Sequence, residues 1–242
     1  MLNGLWVLLP SVLAGFTQTV TGFGGGIVVM LFFPLFLSVT GATSLNCFML
    51  IWINLVQCWK YRRYIHWKEL LLPCGIYLLV SAGAIYLSTL VDVASMKAWL
   101  GLFLVAAAIY FIFFSERIHL RINLATTVLC VTLSGLADGF FGIGGPPMVL
   151  YFMALYGEEK ARYLGNIQAF FCVTGLYNLM VRAVNGLITG QTLLLAIPGI
   201  IGLLLGKALG GPLISRIDGA VFRRVVYFFL AAAGLIIFFT NL

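Results

Sequence analysis

The chain has 242 residues, 62% of them hydrophobic and 9% charged, with a formal net charge of +7. So few charges cannot cover a soluble domain of this size, whose surface would aggregate, so a soluble enzyme or regulator is excluded. The surplus of Lys and Arg falls between apolar stretches, where it sets topology, so the basic balance is no argument for a nucleic-acid partner.

Ten apolar segments follow one another. The first, 2–21, precedes any charged residue, the first being Lys60; without a basic leader a cleaved signal peptide is not expected. A glycine cluster at 22–26 separates it from 23–40. The third segment, 42–60, carries Asn46 and Asn54 and runs into the basic and aromatic stretch Trp59–Lys68, an interfacial anchor. Segments 70–90 and 96–114 complete a first half. The sixth, 122–140, contains Asp138, the only acid placed inside a span. A second glycine cluster at 142–145 leads into 143–157. The eighth, 163–183, carries Asn166, Gln168, Thr174 and Asn178 and ends at Arg182. The last two are 188–213, with Lys207, and 222–241. Runs of about 17–21 apolar residues suffice to cross a hydrocarbon core of roughly 30 Å. Arg182 and Lys207 are expected to snorkel to an interface, with an electrostatic lure for anions as the alternative.

The two glycine clusters are copies. Gly15, Gly22, Gly24 and Gly25 recur as Gly135, Gly142, Gly144 and Gly145, all 120 positions later, and Asn46 pairs with Asn166, Arg62 with Arg182 and Gln18 with Asp138 at the same offset. The fold expected is an all-α polytopic membrane protein: a first transmembrane repeat over 1–115, a cytoplasmic linker at 116–121 and a second repeat over 122–242. If every segment crosses, or each glycine-split pair forms a re-entrant hairpin, one face carries Lys60, Arg62, Arg63, Lys68, Arg117, Arg121, Lys160, Arg162, Arg216, Arg223 and Arg224, leaving only Lys97, Arg182 and Lys207 of the 14 basic residues elsewhere. Making each split pair a single crossing divides them almost evenly. The positive-inside rule therefore favours the first arrangement, with both termini outside the cytoplasm. Five segments per half then invert the second half relative to the first, an arrangement of many secondary transporters.

A helix broken inside a membrane exposes backbone polar groups and survives only in protein or beside a polar cavity. Pro146 and Pro147 suit the first turn of a helix running to about Tyr156, and 26–37 makes a matching piece. Two inverted half-helix N-termini near the midplane would favour an anion. The alternative is close packing through small residues. The candidate binding residues are Gln18, Gly22, Gly24, Gly25, Gly26, Asn46, Gly142, Gly144, Gly145, Pro146, Asn166 and Gln168. Duplicated Asn46 and Asn166 would contact substrate or brace the break. Thr17, Thr19 and Thr21 either line the first copy or bond their own backbone. Asp138 has three readings: a proton-coupling carboxyl, a ligand for an accompanying cation, or a structural group that caps the Gly144–Pro147 helix start or pairs with a basic residue.

Catalytic patterns are missing. The two histidines, His66 and His119, fall in loops, and no HExxH, Walker A, GxSxG or paired-carboxylate pattern occurs. The five cysteines (Cys47, Cys58, Cys74, Cys130 and Cys172) form no CxxC pair and read as small apolar residues. No enzyme activity, cofactor or metal is expected.

Thr21-Gly22-Phe23-Gly24-Gly25-Gly26 and Gly139-Phe140-Phe141-Gly142-Ile143-Gly144-Gly145-Pro146-Pro147 resemble the sulfite exporter TauE/SafE family, or TSUP permeases, and the resemblance extends over essentially the whole chain. It implies a multi-pass protein of the bacterial inner membrane and movement of a small sulfur-containing or organic anion such as sulfite, a sulfonate or sulfoacetate. The expectation is a secondary transporter, as an exporter and with proton coupling through Asp138. An anion channel and a non-transporting membrane assembly subunit are the alternatives. The partners expected are the anion and the lipid bilayer; association into a homo-oligomer stays open.

Overall fold

A computed structural model describes residues 2–21, 24–113, 121–156, 159–213, 231, 234, 235 and 237–239. Gly22, Phe23, most of the 116–121 linker and most of the tenth segment lie outside them. Among the described residues all regular structure is helical.

Helix α1 (Leu2–Thr21) covers the first segment, and α2 (Gly25–Phe32) begins after the break. Helix α2 is shorter than its segment because Pro34 cannot donate to the helical ladder and its ring collides with the carbonyl one turn back, so the chain tightens into a 3-10 turn at Phe33–Leu35. Ser38 then caps α3 (Val39–Tyr61), its side chain accepting from Gly41 N at 3.1 Å. A 3-10 turn at Arg62–Tyr64 leads into α4 (Trp67–Ser88), followed by α5 (Val93–Phe113). Asn123 and Thr126 form a capping box at the start of α6 (Leu124–Phe141). The short α7 (Gly145–Tyr156) starts at the expected Gly-Pro-Pro; its 12 residues rise about 18 Å, half a bilayer. Helices α8 (Lys160–Val184) and α9 (Gly190–Leu213) complete the described body.

Five of these helices are long and apolar enough to cross a membrane: α3 with its 3-10 turn, α4, α6, α8 and α9. Their outward faces carry Leu79, Val184, Leu194 and similar apolar side chains, which in a bilayer meet lipid tails. The chain is a multi-pass membrane protein. Helices α3 and α8 pack against each other at its centre. Helix α1 lies along α9 and α6 along α4; α3 touches α9 and α8 touches α4; α2 packs on α1 and α3, and α7 on α6 and α8.

Small residues let these helices approach. A Cβ added at Gly206 of α9 would collide with the Val12 carbonyl and lie 2.7 Å from Phe16 N on α1. Without a hydrophobic force between helices in lipid, such backbone contact supplies much of the association energy. Gly206→Leu is expected to lower the melting temperature in detergent by about 3–10 °C. Gly83→Ala, at a position with nothing within 4 Å, should leave it unchanged. Equal melting temperatures for the two variants would refute the role of this contact.

Candidate functional site

Both glycine clusters interrupt their helices and meet in the middle of the protein. Helix α6 ends at Gly142, which adopts φ 67°, with Gly142 N donating to Asp138 O at 2.8 Å and Ile143 N to Ala137 O at 3.4 Å. This closing turn needs a left-handed residue, hence glycine. Gly24 (φ 88°) precedes α2 in the same region of backbone space. A Cβ at Gly26 would stand 3.3 Å from Gly142 O and 3.1 Å from Asn46 Nδ2, so the two copies meet in close contact at these glycines. Asn46 Nδ2 donates to Gly142 O at 3.0 Å and binds α3 to the second break.

The repeat partners Gln18 and Asp138 do the same local work. Gln18 Oε1 accepts from Gly25 N at 2.9 Å, and Asp138 Oδ1 from Gly144 N at 3.2 Å. Ser134 Oγ also donates to Gly144 O. The copies differ in what remains for a ligand. Gly25, Gly26 and Ile27 each bring an N–H to the first turn of α2, whereas Pro146 and Pro147 bring none to α7. A carboxylate already occupies the end of α7, so the donor-rich half is the first.

Asp138 Oδ2 accepts from Tyr77 OH at 2.5 Å and from Asn178 Nδ2 at 2.6 Å, while Ser81 Oγ donates to Asn178 Oδ1 at 2.8 Å. This chain joins α4, α6 and α8. Beside it, Arg182 reverses the snorkelling expectation: its side chain is 1% exposed and folds inward. The cause is the break itself, because the last carbonyls of α6 attract a cation. Arg182 donates to Asp138 O at 3.1 Å, Gly139 O at 2.8 Å and Thr43 Oγ1 at 2.8 Å, and its Nε has no protein partner. Among the described residues Arg162–Glu159 is the cation–carboxylate contact within 4 Å, and His66 Nδ1 lies near Glu69 Oε1; both are outside this site, so Arg182 is buried with no carboxylate oxygen within that distance.

A cavity of about 90 Å³ lies between these groups, lined by Gln18, Gly24, Gly26, Asn46, Asp138, Gly142, Gly144, Gly145 and Arg182 with Cys47, Asn54 and Thr174. That volume takes one small oxyanion or a few waters. Most of the candidate residues therefore converge, but not all. Gly25 is buried behind Gln18, and Pro146 is buried in α7; neither is a cavity wall. Gly22 lies outside the described residues. Asn166 sits elsewhere: its Oδ1 accepts from His66 N at 2.8 Å and its Nδ2 donates to Tyr64 O at 3.1 Å, so it ties α8 to the α3–α4 turn and braces neither break. Gln168 is fully buried outside the cavity. Thr17 and Thr19 bond the carbonyls four residues back. Sequence reasoning passed over Tyr77 and Ser81, although their spacing of four sets two polar side chains on one face of an apolar helix. Among the described residues no group of three or more His, Cys, Asp or Glu side chains is placed to hold a metal.

A family model described as Sulfite exporter TauE/SafE matches residues 7–237. Comparison with curated proteins and with solved structures gave no match. The chain belongs to the sulfite exporter TauE/SafE family, a family of membrane transporters and not of enzymes.

Proposed function

We propose that this member of a transporter family moves a small oxyanion of the sulfite or sulfonate kind through the central cavity, by alternating access between two inverted halves. The observation that carries the reading is Arg182. A buried cation is costly unless an opposite charge joins it, and Arg182 lines a cavity also walled by Gly24 and Gly26 at the start of α2, with one donor, Nε, left without a protein partner. A tetrahedral or pyramidal oxyanion would accept from Arg182 and from the α2 N-terminus together. Asn46 would hold the break open. Asp138 would carry the coupling proton.

The two-fold repeat is supported by the helix contacts, and its inversion by the charge pattern of the loops. Exchanging α1 with α6, α2 with α7, α3 with α8 and α4 with α9 turns α1–α9 into α6–α4, α1–α2 into α6–α7, α2–α3 into α7–α8 and α4–α8 into α9–α3. Each of these contacts exists together with its counterpart, and α3–α8 maps onto itself. With the basic turns facing the cytoplasm, both termini lie outside, and the glycine-split pairs form hairpins that return to the side they entered. Export is the direction that the family description names.

The test is flux into proteoliposomes with sulfite, sulfoacetate, other sulfonates and small carboxylates, with and without a pH gradient. Saturable uptake of at least one sulfur oxyanion is expected. Absence of anion-dependent flux across that set would sink the reading, and flux that follows voltage without saturation would make the protein a channel.

A further inference from the structure

The interface of α3 and α8 beyond the cavity holds buried polar groups that the binding site does not use. The α3 wall of the cavity advances through Cys47, Leu50, Ile51 and Asn54, a single helical stripe leading toward the basic Arg62–Tyr64 turn. On α8, Phe171 and Gly175 line the cavity; Gly175 O accepts from Cys47 Sγ at 3.4 Å, so this face meets α3. Gln168 stands three and seven residues before them, on the same face and one turn nearer that turn. Gln168 is 0% exposed with neither Oε1 nor Nε2 partnered, and Asn54, 7% exposed, has an unpartnered Oδ1. Each buried amide group left without a partner costs about 1–3 kcal/mol. Two such side chains in line between a cavity and one face are poor packing but suitable lining for a passage that opens in another state.

Beside the basic turn a polar clasp joins α7 to α4. Tyr156 OH, at the last residue of α7, donates to Glu69 Oε2 in the first turn of α4. The His66 ring meets Tyr156 edge-on at 5.8 Å, and His66 Nδ1 lies 3.3 Å from Glu69 Oε1. Asn166 holds the turn backbone against α8, and a Cβ at Gly165 would come within 3.1 Å of Tyr61 O. Helix α7 has Gly145 in the cavity wall at one end and Tyr156 in the clasp at the other, about 16 Å apart. A ligand that moves the start of α7 therefore acts on the clasp through one rigid element.

We infer that the passage between the cavity and the basic face runs between α3 and α8, with Asn54 and Gln168 as its polar contacts for the anion, and that the Tyr156–Glu69 clasp keeps it shut. This rests on the transport reading above but is tested by accessibility, not flux. Gln168→Cys, in the otherwise native chain in sealed vesicles of either orientation, is treated with a charged, membrane-impermeant methanethiosulfonate, and labelling is read at residue 168 by peptide mass spectrometry. Buried Cys130 of α6 serves as internal reference. Residue 168 should label at least tenfold faster than Cys130, only from the face bearing the α3–α4 turn, and a further several-fold faster in Tyr156→Phe. Sulfoacetate, which does not react with the reagent, should slow the reaction.

Labelling no faster than Cys130, with and without Tyr156→Phe, overturns the passage, and Asn54→Cys provides the same reading if Gln168→Cys does not fold. Labelling that ignores Tyr156→Phe overturns the clasp. Fast, clasp-dependent labelling that no tested anion slows, in a protein without anion flux, keeps the passage while rejecting the substrate reading.

Discussion

Arg182→Gln is expected to lower saturable anion uptake by about two orders of magnitude or more. Removing one partner from a buried charge pair costs about 3–5 kcal/mol, and each 1.4 kcal/mol is a factor of ten. Glutamine keeps a polar head but removes the positive charge and the fork that spans Thr43 Oγ1, Asp138 O and Gly139 O. Arg182→Lys keeps the charge and loses the fork, so it should retain a measurable fraction of uptake with a raised KM. A purely structural Arg182 would show instead as a lowered melting temperature with KM unchanged in whatever protein survives. Near-normal uptake by folded Arg182→Gln would remove the proposed anion partner.

What the sequence disclosed about this site, and what it hid, follows from the range of the interactions involved. The breaks are written locally: glycine for positive φ at Gly24 and Gly142, and proline in the first turn of α7. The start of α7 and its end at Tyr156 agree with the sequence reading for that reason. The wrong place given to Arg182 has a different origin. A long cationic side chain near a helix end can snorkel outward or fold back, and the choice depends on carbonyls of α6 that only the tertiary fold brings close. Asn46 and Asn166 show the same limit. They are repeat partners, yet one donates to Gly142 O at the break and the other to Tyr64 O at a surface turn. Equal position in a duplicated sequence fixes equal helix and register, while the partner opposite each residue is set by the facing half.

Asp138→Asn is expected to leave transport in place but indifferent to a pH gradient. The carboxyl accepts from Tyr77 OH, Asn178 Nδ2 and Gly144 N, and lies beside the cavity that Arg182 also lines. An anion entering next to an ionised Asp138 meets repulsion of about 3 kcal/mol at ~6 Å with an effective dielectric of ~20, roughly a hundredfold in affinity. On the proposed reading a proton on Asp138 would remove that repulsion, so proton and anion would bind together and travel in the same direction. Wild-type uptake should therefore rise when the side supplying the anion is the more acidic. Asparagine is neutral at every pH, so the variant should bind the anion within a few-fold of the protonated wild type and show no response to the gradient. Tyr77→Phe removes one donor and keeps the carboxyl, so its gradient response should persist. The substitution also sets an amide N–H against donors, with each unsatisfied group costing about 1–3 kcal/mol, so melting temperature must be followed beside flux. A folded Asp138→Asn protein that still responds to the gradient excludes Asp138 as the proton carrier. If Asp138→Asn fails to fold while Tyr77→Phe folds and transports, the cap on Gly144 N is the residue's main role.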